Sequence, residues 1–135
     1  MKRLIIFLLL APIFANAQSP LNDRWTILYD NPKADEKTYI DTQTISFNDY
    51  FETQQKVYLI WIRTYHNFSM GKYDEYDDQH IAISLSTSQF ELKSAAKHKD
   101  GNLINNVQGQ RLQWLDIPPE SNGELILNYC KKLNK

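Results

Sequence analysis

The sequence predicts an α+β domain, in which a mostly antiparallel, meandering β-sheet carries a C-terminal α-helix packed on one face. Two patterns indicate this class. Between residues 24 and 107, several segments alternate apolar and polar residues with the period of two that is typical of half-buried β-strands. From residue 125 onward, apolar residues recur instead at steps of three and four, which is the period of an amphipathic helix.

Two short strands are predicted first, over residues 24–29 and 37–41. The sequence Asp30-Asn31-Pro32 separates them, and these residue types favour turns because they bond their own backbone or fix φ. Residues 42–46 are then predicted to form a turn or a single helical turn. One side of the first strand is expected to carry Trp25, Ile27 and Tyr29.

The strongest strand pattern covers residues 56–66, where both alternating sets of side chains are largely apolar. A strand with two apolar faces is typical of the centre of a sheet that is covered on both sides. We expect the C-terminal helix to cover one face, and we hypothesise that a partner covers the other.

A β-hairpin is predicted from residues 80–86 and 89–97, because only a short polar link joins these alternating segments. A strand over 102–107 follows Asp100-Gly101, a pair that accepts the positive φ of a tight turn, and residues 111–117 form a last extended segment. The side chains expected to face the core are Ile81, Ile83, Leu85, Phe90, Leu92 and Ala96. Those expected to face outward are Ala82, Ser84, Ser86, Glu91, Lys93 and Lys97.

The C-terminal helix is predicted to begin after Ser121. Ser121 and Glu124 have the spacing of a capping box, in which each side chain bonds a backbone N–H at the helix start. The apolar stripe of the helix consists of Leu125, Ile126, Tyr129, Cys130 and Leu133. Cys130 is the single cysteine, so no disulfide can form within the chain. Its place on the stripe favours a buried, unreactive thiol, with an intermolecular disulfide as the alternative.

The N-terminus has the features of a secretory signal peptide over residues 1–17. Lys2 and Arg3 precede an apolar run, and Ala15-Asn16-Ala17 has the small-residue pattern that signal peptidase cleaves. The apolar run is shorter than the roughly 20 residues of a membrane anchor. We therefore expect an exported protein (periplasmic, secreted or displayed at the cell surface) whose mature part, residues 18–135, is one domain.

The charges of the chain are nearly balanced, with 15 Lys and Arg against 16 Asp and Glu. Nucleic-acid-binding and anionic-membrane-binding domains show a basic excess or a basic patch, and this sequence has neither. No second apolar segment reaches membrane-spanning length. We expect no nucleic-acid partner and no stable membrane insertion.

No catalytic motif is present, and we expect neither an enzyme nor a bound cofactor. The histidines lack metalloprotease spacing, no serine has the glycine-flanked elbow of a hydrolase, and the 4 glycines form no phosphate-binding loop. One acidic segment, residues 74–80, is interpreted as a solvated loop between strands. Its closely spaced carboxylates support an alternative function, a periplasmic metal-binding accessory protein or small enzyme that uses this loop.

Aromatic residues are concentrated in the middle of the chain. Most of them are expected in the sheet core, where aromatic residues are common. Four are flanked by polar residues and are expected on an exposed surface that binds a protein partner, because tyrosine contributes large contact area with a polar tip. These four are Tyr50, Phe51, Tyr73 and Tyr76.

The sequence resembles the surface-adhesin protein E-like family of bacterial envelope proteins over nearly all of its expected mature part. The residues that carry the resemblance are Trp25, Tyr39-Ile40-Asp41, Ile45, Val57, Trp61, Asp100-Gly101, Trp114, Pro118-Pro119, Ser121, Gly123-Glu124-Leu125 and Cys130. The namesake of the family is an adhesin for host extracellular-matrix proteins. The resemblance therefore implies a non-enzymatic binding role toward a matrix or envelope protein.

This sequence departs from the family pattern in its cysteines. Family members often carry a second cysteine in the mid-chain strands, which pairs with the C-terminal one, whereas residues 80–98 contain none here. The interpretation adopted is an exported adhesin-like binding domain. A third function class, a small-ligand carrier, requires a pocket between the sheet and the helix, which the sequence alone does not reveal.

Overall fold

The computed structural model describes residues 23–50, 55–108 and 113–134. The expected signal peptide and Phe51 lie outside the described residues, as does the side chain of Tyr50. In chain order, the described elements are β1 (Trp25–Asn31), β2 (Glu36–Asp41), β3 (Ser46–Tyr50), β4 (Gln55–Tyr65), a 3-10 turn (Phe68–Met70), β5 (Tyr76–Ser84), β6 (Gln89–Lys99), β7 (Asn102–Gln108), β8 (Leu115–Asp116) and α1 (Asn122–Leu133). One antiparallel sheet followed by one helix confirms the predicted α+β class.

The sheet is built around three long strands, β4, β5 and β6, in the order β1-β2-β4-β5-β6-β7. β2 and β3 share the outer edge of β4, with Ile40 opposite Ile62 in one pairing and Phe47 opposite Tyr58 in the other. In the same way β7 and β8 share the outer edge of β6. β4 therefore has neighbours on both edges, which confirms the prediction that this strand is central.

The main hydrophobic core lies between α1 and one face of the sheet, here called the helix face. Its buried members are Ile40, Tyr58, Ile60, Ile62, Ile81, Ile83, Ile126, Leu127 and Cys130. Burial of each large aliphatic side chain contributes about 1.5–3 kcal/mol relative to leaving it in water. Since the chain has no internal disulfide, this packing holds the helix on the sheet.

The start of α1 is capped as the sequence predicts, with one difference. Ser121 is the N-cap, and its Oγ accepts a hydrogen bond from the Glu124 N–H at 3.3 Å. The Glu124 carboxylate accepts from the N–H of Glu120, at 2.7 Å, rather than from the N–H of Ser121. The reciprocal bond of the capping box is thus displaced by one residue, to a position where Glu120 has a positive φ of 58°.

Strand β3 was not predicted. Residues 42–44 form the expected bend, but the chain returns to the sheet at Ser46 instead of staying in a turn. The fully buried carboxylate of Asp41 organises the bend, because it accepts hydrogen bonds from the Gln43 N–H at 3.1 Å and from the Thr44 hydroxyl at 2.7 Å. With the bend fixed, the following residues can pair with the free half of the β4 edge.

The predicted exposure of the hairpin residues was wrong at three positions, and the predicted face was wrong at Ala96. Ala82, Ser84 and Glu91 do project to the face opposite α1, but their exposed fractions are 0%, 0% and 3%, so they do not face water. A β-bulge on β6 adds Lys93 to the strand, since His80 is opposite Ser94 while Ile81 is opposite Leu92. The extra residue reverses the alternation, so Ala96 shares a face with Asp78 and not with Leu92.

The hairpin itself and its turns were predicted correctly. β5 and β6 are joined across residues 85–88, and Asp100-Gly101 has the positive φ values expected of the next turn. The last extended segment is reduced to the two residues of β8, with residues 111 and 112 outside the described part. Within the described ranges, no helix has the length and apolar character needed to cross a membrane.

Candidate functional site

The face of the sheet opposite α1 carries a concentration of aromatic and cationic side chains, and we call it the aromatic face. Along β4, Ile60 and Ile62 pack into the core beneath α1. Side chains alternate along a strand, so Trp61, Arg63 and Tyr65 project to the opposite side. In the described part of the chain no helix packs on this side. Trp61 and Arg63 are half-buried, whereas Val57, Ala82 and Ser84 on the same side are fully buried.

Four of these side chains form one continuous stack across the sheet. The guanidinium carbon of Arg63 lies 4.8 Å from the ring centroid of Trp25 on one side and 4.1 Å from that of Tyr76 on the other. The ring of Tyr76 then stacks on His98, with centroids 4.6 Å apart and planes inclined by 21°. Each cation–π contact of this kind contributes about 0.5–2 kcal/mol, so the stack is held in one arrangement.

An ion pair fixes the centre of the stack. Arg63 and Asp78 are opposite each other in the β4–β5 register, and the guanidinium donates two hydrogen bonds to the carboxylate, at 2.7 and 2.8 Å. Partial burial on its own lowers the pKa of Arg63, but the hydrogen bonds and charge of Asp78, supported by Tyr65, raise that pKa above its ordinary value. Arg63 is therefore charged at all physiological pH values, and the carboxylate of Asp78 balances its charge.

A second stack lies beside the first. Trp61 and His80 are cross-strand partners, and their rings are parallel to within 5° at a centroid distance of 4.5 Å. Burial lowers the pKa of His80, since charging the imidazole in this position costs hydration. The pair is thus a neutral, planar surface at neutral pH.

One end of the aromatic face is closed by the segment that joins β4 to β5. Tyr65 is only 1% exposed and is surrounded by aromatic rings with centroids 5.6–6.2 Å away. These neighbours are Tyr39, Phe68, Tyr73 and Tyr76. Asp35 fixes the position of this segment, because its carboxylate accepts hydrogen bonds from both the N–H and the hydroxyl of Ser69.

Two of the four predicted contact residues, Tyr73 and Tyr76, lie on this face. Both are half-buried, and they are joined through Tyr65, which each of them contacts. For Tyr50 only the backbone is described, paired with Gln55 at the end of β3. Phe51 lies outside the described residues, so the structure brings together only one half of the predicted set.

The acidic segment is not the loop that the sequence predicts. Tyr76–His80 forms the first half of β5, and only Asp74 and Glu75 precede the strand. Asp78 bonds Arg63, and Asp77 accepts from the His66 imidazole at 2.7 Å. Among residues 23–50, 55–108 and 113–134, no group of three His, Cys, Asp or Glu side chains could hold a metal ion.

His66 joins three strands at this end of the sheet. Its Nδ1 lies 3.0 Å from the Glu36 carboxylate and its Nε2 lies 2.7 Å from that of Asp77. Partial burial lowers the pKa of His66, but the hydrogen bonds and charges of Asp77 and Glu36 outweigh this effect and raise it. The pair of carboxylates therefore favours an imidazolium that ties the start of β2 to β5.

Sequence reasoning missed Trp25, Arg63 and His98 as parts of the site. Arg63 follows Trp61 by two residues within a predicted strand, so their shared face could have been read from the period of two. The register that places Arg63 against Tyr76 and Asp78 depends on long-range pairing, for which the sequence has no local signal.

No protein-family model, no curated protein and no solved structure matches this chain.

Proposed function

We propose that this chain is an exported, non-enzymatic binding protein of the surface-adhesin protein E type, which contacts a protein partner through its aromatic face. The observation that carries the proposal is the half-buried stack of Trp25, Arg63, Tyr76 and His98. The resemblance of the sequence to the adhesin family supports the same class of function.

The composition of the aromatic face is that of a protein-binding hot spot. Trp, Tyr and Arg are the residue types that contribute most to binding free energy at protein interfaces. In this sheet they are held by their neighbours before any partner arrives, as the ion pair of Arg63 with Asp78 illustrates. A surface that is already ordered loses little conformational entropy on binding, which favours affinity.

The charge of the face indicates the chemistry of the partner. Asp78 neutralises Arg63, and the ring of His80 is uncharged at neutral pH because burial lowers its pKa. The centre of the face is therefore planar and nearly neutral. We infer a partner surface that presents aliphatic, proline or aromatic side chains to these rings, on an extracellular-matrix or envelope protein as the resemblance implies.

Binding to a panel of purified extracellular-matrix and envelope proteins, measured by biolayer interferometry with the chain immobilised, tests the proposal. We expect at least one specific partner. Trp61→Ala and Trp25→Ala should each weaken that binding by about 30-fold, which corresponds to a hot-spot loss of about 2 kcal/mol.

The matched control is Val107→Ala on β7, where the side chain is 50% exposed. Val107 is opposite Ala95, which is opposite Gln79, so it lies on the helix face. This variant should bind as the wild-type chain does. Equal losses from Val107→Ala and the tryptophan variants would contradict the assignment of the contact to the aromatic face. Circular dichroism and thermal unfolding of every variant separate a lost contact from a lost fold.

A further inference from the structure

A pocket of about 340 Å³ lies between the first turns of α1 and the helix face of the sheet. Its floor is apolar and consists of Ile62, Ile81, Ile83, Phe90 and Ile126. Three uncharged polar residues, Gln79, Ser121 and Asn122, line its mouth. This size falls within the range of small-molecule sites in proteins, which is roughly 300–1,000 Å³.

The residues at the start of α1 explain why the pocket exists. The first apolar side chain of the helix that packs on the sheet is Ile126, because Leu125 is 38% exposed and directed away. Before it stand Ser121, Asn122 and Gly123, which are short, polar or without a side chain. Gly123 cannot be enlarged freely, since a Cβ there would come within 3.1 Å of the Ile117 side chain. Over this end of the sheet, the helix therefore presents small or polar residues in place of a large apolar side chain.

We propose that this pocket binds a small, uncharged and mainly apolar molecule of roughly ten to fifteen non-hydrogen atoms. The volume equals that of roughly eleven liquid water molecules, which sets the size. Water in the pocket would face an aliphatic floor and form few hydrogen bonds, so its displacement by apolar atoms is favourable.

The lining also defines the charge of the ligand. None of the lining residues is ionisable. A charged ligand group would lose its hydration without gaining a counter-ion, which is costly in an apolar site. The amide of Gln79 can donate to, or accept from, one hydroxyl or carbonyl group at the mouth. The pocket therefore selects a neutral molecule with at most one polar end.

The pocket is independent of the proposed protein-binding function. It lies on the helix face, whereas the stack of Trp25, Arg63 and Tyr76 lies on the opposite face. A ligand in the pocket and a protein on the aromatic face can be bound together, and each activity can fail without the other.

Titration of the processed chain, purified after export, with the uncharged fluorescent probe 4-(dimethylamino)benzonitrile, whose size is within the proposed range, tests the pocket. We expect a saturable rise in fluorescence with one probe per chain. Gln79→Trp should weaken probe binding at least about tenfold, because an indole at this exposed strand position closes the mouth while suiting a β-strand. The matched control Asn105→Trp places an indole at an exposed strand position outside the pocket lining and should bind within about twofold of the wild-type chain.

Three results would overturn the proposal. One is the absence of saturable binding up to the solubility limit of the probe. Another is loss of the signal in Leu103→Ser or Ile104→Ser, which would place the probe on the exposed side chains of β7. The third is a wild-type chain that self-associates and becomes monomeric in Gln79→Trp, which would show that a second copy occupies the pocket. Thermal unfolding confirms that each variant is folded before its titration is interpreted.

Discussion

The guanidinium of Arg63 lies over the ring of Tyr76, with its carbon 4.1 Å from the ring centroid. The Nε and Nη2 of the same guanidinium donate hydrogen bonds to the carboxylate of Asp78. Tyr76 and Asp78 project from the same side of β5, two residues apart, so one arginine on β4 engages both. Stacking and bidentate pairing both require a planar guanidinium. The geometry of the aromatic face therefore depends on arginine at this position, and not on positive charge alone.

Arg63→Lys should lower the free energy of unfolding by about 1–2 kcal/mol, because lysine keeps the charge but loses the planar stack and one of the two hydrogen bonds. Urea unfolding at neutral pH measures the loss. Lys97→Arg, at an exposed position of β6, is the control and should change stability by less than about 0.5 kcal/mol. Equal stability of Arg63→Lys and the wild-type chain would show that the stack contributes nothing.

The bridge made by His66 predicts a stability that depends on pH. Its pKa is raised in the folded chain above the ordinary value of 6.5, so its stabilising effect is fully present below about pH 6.5 and is lost as pH rises through the folded-state pKa. His66→Asn should therefore be less stable than the wild-type chain at pH 6, and the two should converge at alkaline pH. Urea unfolding across this pH range measures the difference.

The control for this experiment is the NMR titration of the His66 ring signals, which reports the folded-state pKa directly. A pKa at or below 6.5 would contradict the bridge with Glu36 and Asp77.

Asp41 predicts a second pH effect, of opposite sign. Burial raises the pKa of this carboxylate, but the hydrogen bonds from Arg24, Thr44 and the Gln43 N–H outweigh burial and place the pKa below its ordinary value of 3.8. Asp41→Asn should lower the free energy of unfolding by about 1–3 kcal/mol at neutral pH, because charged hydrogen bonds are lost in a buried site.

The deficit of Asp41→Asn should persist above about pH 4 and shrink as pH falls through the folded-state pKa, where the wild-type carboxylate also becomes neutral. Denaturant unfolding between pH 2.5 and pH 7 measures this trend. Asp116→Asn is the matched control, since Asp116 bonds Gln89 in an exposed position. A loss of stability in Asp41→Asn that does not change with pH would show that the charge of Asp41 is not its cause.

Cys130 should not react in the folded chain. The residue is completely buried, and desolvation raises the pKa of its thiol to about 12, so a thiolate hardly forms at neutral pH. A chromogenic disulfide reagent should react slowly with the native chain and at once in denaturant. Rapid native reaction, or a disulfide-linked dimer on a non-reducing gel, would contradict this packing.

The sequence was sufficient to predict the elements whose patterns are local. The apolar alternation around Ile60 and Ile62 marked the central strand, and Ser121 with Glu124 marked the start of the helix. The acidic residues of β5 were misassigned because strand propensity disfavours them. They are tolerated there because Arg63 on β4 bonds Asp78, and because His66, the residue after β4, bonds Asp77. These contacts depend on the long-range pairing of β4 with β5.

A single inserted residue explains why Ala96 was assigned to the wrong face. The bulge at Lys93 reverses the side-chain alternation of β6 beyond that point, and no local residue type predicts it. The pocket was also beyond sequence reasoning. It depends on how the side-chain-free Gly123 and the short Ser121 sit over Ile81, which only the packing of α1 on the sheet determines.

NMR titration of the ¹⁵N-labelled chain with a matrix or envelope protein from the binding panel tests most directly whether the aromatic face is the contact surface. The indole N–H signals of Trp25 and Trp61 should shift or broaden, together with backbone signals of β4 and β5 around Arg63 and Tyr76, while those of α1 and of Val107 on β7 stay unchanged. Perturbations confined to α1 or to Val107, with both indole signals unmoved, would contradict the proposed function.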